Sequence, residues 1–97
     1  MSEPPGTEFR EAVLNAIRAL QPGEVVSYGE VGRRAGYPRR ARGVGNVLAG
    51  HAGADLPWWR VVLADGRLAA PQSRQQQRML EAEGVDVHNG RVLGGVP

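Results

Sequence analysis

Apolar residues recur on one helical face at Phe9, Val13, Ala16, Ile17 and Leu20, and this spacing predicts an amphipathic first helix. Thr7 stands where an N-cap belongs. Glu8 and Glu11 place acids in the first turn, where the helix dipole favours them. Gln21-Pro22-Gly23 ends the helix, and Val25-Val26 is a short extended link. Ser27-Tyr28-Gly29-Glu30 has the S-x-x-E form of a capping box, so a second helix starts there. It stops at Gly36, a good left-handed C-cap. Pro38 suits the first turn of a third helix, which runs from about Arg39 to Ala49 and stops at Gly50. Two short helices joined by a glycine-containing turn form a helix-turn-helix candidate.

Downstream the pattern shifts to extended structure. Trp58 to Leu63 reads as a strand and Arg67 to Ala69 as its return, around an Asp65-Gly66 turn. Such a hairpin beside a helix-turn-helix is a wing. Ser73 caps a fourth helix, with Met79 and Leu80 inward and Gly84 as its stop. Val85 to His88 and Arg91 to Leu93 flank Asn89-Gly90, the strongest two-residue hairpin signal. The expected fold is α+β: one small winged-helix-like domain over residues 7–97, preceded by a disordered lead of residues 1–6.

With 97 residues the core is modest. The absence of cysteine removes disulfides, thiolate catalysis and zinc-finger chemistry together. Two histidines, far apart, give no metal site, and no phosphate-binding glycine fingerprint suggests a cofactor. No stretch approaches the ~18 apolar residues that cross a bilayer, and the N-terminus lacks the form of a secretory signal. The expected location is cytoplasmic, on the bacterial nucleoid, and the expected state is a monomer.

The net charge of +2 hides an asymmetry. All 12 cations are arginine, and Arg33, Arg34, Arg39, Arg40 and Arg42 fall within one short stretch. No acid lies between Glu30 and Asp55. A solvated helix face normally mixes signs. An unbalanced arginine block fits a polyanion, because guanidinium forks match phosphate oxygens and each contact releases counterions. A genome-wide preference for arginine accounts for the missing lysine but not for the clustering. The third helix also carries Gly43 and Gly45, each costing roughly 1 kcal/mol against alanine. Either a DNA backbone presses on this helix or another helix packs closely against it. Trp58 offers a flat face that stacks on a base. It is no nucleophile and does not titrate, so whatever binds there is held rather than changed.

Ser27-Tyr28, the run from Arg39 to Gly45, Pro57-Trp58-Trp59-Arg60-Val61-Val62 and Leu80-Glu81-Ala82-Glu83-Gly84 together resemble the C-terminal domain of the O6-alkylguanine-DNA alkyltransferases. The resemblance covers about Phe9 to Val87. The family strand motif is Pro-Cys-His-Arg, whose cysteine accepts the alkyl group. Here Trp58 stands at the cysteine and Trp59 at the histidine, the pattern of the alkyltransferase-like proteins, which do not transfer the alkyl group. The resemblance implies a protein that binds O6-alkylguanine in double-stranded DNA, flips the base and hands the lesion to nucleotide-excision repair. It implies that Tyr28 crowds the phosphate 3′ of the target and drives base rotation. Arg42 is implied as the finger that fills the vacated stack, Arg39 as a phosphate contact, and Gly43 and Gly45 as the surface that enters the minor groove. The implied lesion pocket comprises Tyr28, Leu48, Trp58 and Val61, with Arg67 or Arg74 facing the lesion. Glu83 matches the enzymes' glutamate, left here as a structural residue at a helix end, and Trp59 either packs or lines the pocket.

Two other classes compete. A winged-helix transcription regulator would read an undamaged operator, but the third helix offers few base-reading side chains. A lesion hydrolase would have to use Glu83 and His51.

Overall fold

The computed structural model describes residues 7–50, 55–68 and 73–97. The proposed lead of residues 1–6, His51 and Ala69 lie outside them. Helix α1, Thr7–Arg18, forms as its periodicity predicts, with Thr7 already helical. Its buried face is Phe9, Val13, Leu14 and Ile17, and Leu20 is buried just past its end.

The extended link becomes strand β1, Val26–Ser27, and leads directly into helix α2, Tyr28–Arg34. Ser27 caps α2, its hydroxyl accepting from the Glu30 N–H at 3.1 Å. Only half of the expected capping box forms. The Ser27 N–H donates instead to the carbonyl of Pro97 at 3.1 Å. The Glu30 carboxylate turns to arginines of its own helix. The helix ends in a Schellman motif: Tyr37 N–H reaches Gly32 O at 2.8 Å and Gly36 N–H reaches Arg33 O at 3.0 Å. Gly36, at φ +92°, supplies the left-handed residue this motif needs.

Helix α3 is Ala41–Ala49, two residues shorter than the sequence suggests. Pro38 and Arg39 form the turn between the helices, and Arg39 has φ 64°, which no α-helix accommodates. Gly50 closes α3. Helices α2 and α3 are the expected helix-turn-helix.

The proposed long strand is mostly not a strand. Trp58–Arg60 is one 3₁₀ turn, and only Val61–Val62 forms strand β2. The turn rotates successive side chains around its axis, and Arg60 thereby points inward to Leu20 O and Glu83. Strand β2 pairs in parallel with β1, Val26 opposite Val61 and Ser27 opposite Val62. Its other edge is occupied too, because the buried Gln76 side chain donates to Trp59 O and Val61 O at 3.1 and 2.9 Å. The return segment meets this strand only past its end, where the Leu63 N–H donates to Arg67 O at 2.9 Å. The Asp65-Gly66 turn does form, with Gly66 N–H bonded to Leu63 O at 2.8 Å. Past it the chain leaves β2: Arg67 bridges to Arg91, and Leu68 N–H bonds to Gly90 O. The proposed wing is therefore a turn docked on the last hairpin.

Helix α4, Ser73–Ala82, ends at Gly84 in a second Schellman motif. Ser73 is itself helical. Leu80 is fully buried and Met79 only half-buried. Strands β3, Val87–His88, and β4, Arg91–Val92, pair in antiparallel register around Asn89-Gly90, both at positive φ, as that dipeptide predicts.

The β1–β2 pair divides the core. Val61 faces a cluster built from α1, α2 and α3, while its neighbour Val62 faces Leu68, Leu80 and Val92. Alternation along one short strand thus ties the helix-turn-helix to the half of the molecule that carries α4 and the hairpin.

Candidate nucleic-acid interface

The arginine block splits into two groups. Arg33 grips Glu30 through two bonds, Nε to Oε1 at 2.7 Å and Nη2 to Oε2 at 2.6 Å. Arg34 bridges Glu30 and Glu24, each at 2.8 Å. Arg33 and Arg34 hold the Glu30 carboxyl down at about 2, and Arg34 lowers that of Glu24. These two cations are already neutralised. Arg39, Arg40 and Arg42 are exposed and have no carboxylate partner among the described residues.

The three unpaired arginines flank the start of α3, on a rigid base. The Arg40 guanidinium lies 4.3 Å from the Phe9 ring centroid. Phe9 meets Tyr37 edge-on, centroids 5.0 Å apart. Gly43 makes this possible: a Cβ there would stand 3.0 Å from Phe9 Cζ. The missing side chain at residue 43 therefore serves close helix packing. Gly45 is different, since a Cβ there meets nothing within 4 Å. Arg42, Gly45, Asn46 and Ala49 form the outward stripe of α3, at helical spacing. Its middle is flat at Gly45, and one end carries a free guanidinium.

Tyr28 opens α2, half-buried, and desolvation pushes its phenol up. Tyr28, Leu48 and Val61 belong to the same cluster around α1, α2 and α3. Trp58 is half-buried three residues before Val61, with its ring edge-on to Trp59. Arg67 is not gathered with these. It is exposed and bound to Asp65, Nε to Oδ2 at 2.7 Å. The Arg67 N–H and guanidinium together lower the Asp65 carboxyl. Arg74 is exposed on the first turn of α4. A hollow lined by Glu81, Asp86, His88 and Leu93 contains none of the expected site residues.

Behind the tryptophans lies a polar cluster that the sequence only hinted at. Glu83 accepts from Arg60 Nη2 at 2.6 Å, from Trp59 Nε1 at 2.8 Å and from the Gly23 N–H at 2.8 Å. Arg60, followed by the Gly23 and Trp59 donors, holds its carboxyl at about 2. Arg60 Nη1 also donates to Leu20 O at 2.9 Å. A carboxylate so far below neutrality and so fully engaged is a poor proton acceptor, and the hydrolase reading loses its base. The signal for Arg60 was its place between two tryptophans and an apolar run. The signal for Gln76 was its spacing four residues before the inward Leu80. Neither residue was identified from sequence.

Among the described residues no group of three or more metal-binding side chains comes together, and no helix is long and apolar enough to cross a membrane.

A helix-turn-helix with an unpaired basic face defines a DNA-binding domain. The chain belongs to the family described as the DNA-binding domain of 6-O-methylguanine DNA methyltransferase, whose model matches residues 8–85, and its similarity to Alkyltransferase-like protein 1 of Schizosaccharomyces pombe, 36% identical over 84% of this chain and 80% of that one, sets it among the alkyltransferase-like members. It is 38% identical over 84 residues to the DNA base-flipping protein of Vibrio parahaemolyticus, covering 82% of this chain and 83% of that one. It is 43% identical over 82 residues to the DNA base-flipping protein of Escherichia coli K12, covering 81% of this chain and 64% of that one. Among solved structures it resembles Schizosaccharomyces pombe Atl1 bound to damaged DNA containing O6-carboxymethylguanine, at TM-score 0.80 and 28% identity over 100% of this chain and 93% of that one. With no cysteine, the chain has no thiol on which to accept an alkyl group.

Proposed function

We propose that this protein recognises O6-alkylguanine in double-stranded DNA without reacting with it. It flips the altered base, holds it beside Trp58 and marks the site for nucleotide-excision repair. The observation that carries this reading is the whole-chain likeness to a relative solved on DNA with an O6-alkylated guanine, in a chain without cysteine. The α3 stripe enters the minor groove over Gly45. Arg42 fills the gap left in the stack, and Arg39 binds a phosphate. Tyr28 turns the nucleotide outward. Flipping costs a few kcal/mol of unstacking, less for a badly paired base, so the damaged site is favoured before any pocket contact forms. Leu48, Trp58 and Val61 recover the rest by packing against the base, with Arg67 or Arg74 facing the alkyl group.

A duplex with 2-aminopurine next to O6-methylguanine tests the flipping step. The protein should raise the fluorescence of the neighbouring probe as stacking is lost, and Tyr28→Ala should abolish the rise while binding persists. No rise with the wild-type protein would refute the flipping step.

A further inference from the structure

Trp58 and Trp59 are adjacent in sequence and differ in how firmly they are held. The Trp59 indole donates Nε1 to Glu83 at 2.8 Å. The Arg60 guanidinium lies 5.1 Å from its ring centroid, and its carbonyl accepts from Gln76 at 3.1 Å. The ring packs on the cluster that contains Val62 and Leu80. Glu83 is itself fixed by Arg60 and by the Gly23 N–H, so the acceptor cannot drift. Trp58 has none of these anchors. Its side chain makes no hydrogen bond among the described residues and meets the Trp59 ring edge-on, centroids 6.2 Å apart and planes at 87°.

A T-shaped aromatic pair is directional, because the positive ring edge seeks the negative face. A fixed ring on one side therefore selects the orientation of a free ring on the other. We propose that Trp59 is the positioning residue of the lesion site: its bond to Glu83 creates a rigid aromatic wall that orients Trp58 before DNA arrives. The inference rests on the reading of Trp58 as part of the lesion site. It gives the indole a task at the position where the enzymes of this family carry histidine. A group ordered in advance loses less freedom on binding, and that gain falls on lesion DNA alone. The grip of Arg39 and Arg42 on the backbone is untouched.

Trp59→Phe keeps a packed ring and removes the donor. Its affinity for an O6-methylguanine duplex and for the unmodified twin is measured at one salt concentration. The preference for the lesion should fall by about two- to tenfold, the range a directional aromatic contact spans. Affinity for the unmodified duplex should stay unchanged. An unchanged preference, or an equal loss on both duplexes, overturns the proposal. Trp59→His, which restores a ring N–H toward Glu83, should regain part of the preference, and a His variant no better than Phe also overturns it. A second measurement needs no Trp59 variant. In wild-type protein carrying fluorinated tryptophan, Trp58, identified with Trp58→Phe, should give one sharp fluorine resonance before DNA is added. Split or exchange-broadened signals overturn the preorganisation. Trp58→Ala separates the two readings. If it keeps full lesion preference, the lesion-site reading falls and this inference with it. If it loses preference while Trp59→Phe keeps it, this inference falls alone.

Discussion

Arg60 and Arg42 are the same side chain in opposite settings. Arg60 is buried, and its guanidinium is shared between Glu83 and the carbonyl of Leu20. It joins the end of α1 to the 3₁₀ turn and the end of α4. Arg42 is exposed at the start of α3 and touches no carboxylate among the described residues. A satisfied arginine belongs to the framework, and an unpaired one keeps its charge available. The same contrast runs inside the arginine block. Arg33 and Arg34 spend their charge on Glu30 and Glu24, while Arg39, Arg40 and Arg42 keep theirs. Net charge alone, at +2, conceals this division.

The largest effect should follow from breaking the framework arginine. Arg60→Ala leaves Glu83 partly buried without its main partner, a loss of about 3 kcal/mol or more. For a domain of this size that lowers Tm by more than about 10 °C, measured by circular dichroism. A Tm within 2 °C or so of wild type would contradict the framework role. The same lock sets the acid response. Glu83 titrates at about 2 in the folded protein against 4.5 for a free glutamate, so its contribution is complete above pH 4.5. That contribution disappears as pH falls from 4.5 toward 2. Denaturant midpoints should therefore stay level down to about pH 5 and decline below it.

Removing the unpaired arginine should act on DNA and not on the fold. Arg42→Ala should weaken lesion binding by about tenfold, with Tm unchanged. Arg34→Ala should change lesion affinity by less than about twofold. Equal losses in the two variants would erase the division between paired and unpaired arginines.

The two helix glycines give the smallest and sharpest contrast. Gly45→Ala meets open space, so it should stabilise the helix by up to about 1 kcal/mol while weakening DNA binding. Gly43→Ala presses on Phe9 and should give a smaller gain or none. Tighter DNA binding by Gly45→Ala would remove the groove approach from the account.

Much of the fold was legible because its signals are local. The α1 stripe, the Ser27 cap, the Gly36 and Gly84 stops and the Asn89-Gly90 turn each depend on a few adjacent residues. The errors arose where distant groups decide. Trp58 to Leu63 carries every local mark of a strand, yet the Arg60–Glu83 bond and the Gln76 amide shape it from 15 or more residues away. The parallel β1–β2 pair left no trace in two-residue strands. Arg39 entered the expected third helix because nothing local declares its left-handed backbone. At the site, the residue types on α3 were readable. What was not readable is which arginines are already paired, since those partners depend on folded geometry. Arg67 was likewise readable as a cation but not as the partner of Asp65.

The central claim is recognition of an alkylated base by a chain with no thiol. The most direct measurement is a titration of two duplexes, identical except for one O6-methylguanine, at the same physiological salt, followed by mass analysis of protein and DNA. The account predicts at least about tenfold tighter binding to the lesion, with both molecules recovered at unchanged mass. Equal affinity for the two duplexes, or loss of the methyl group from the DNA, would contradict it.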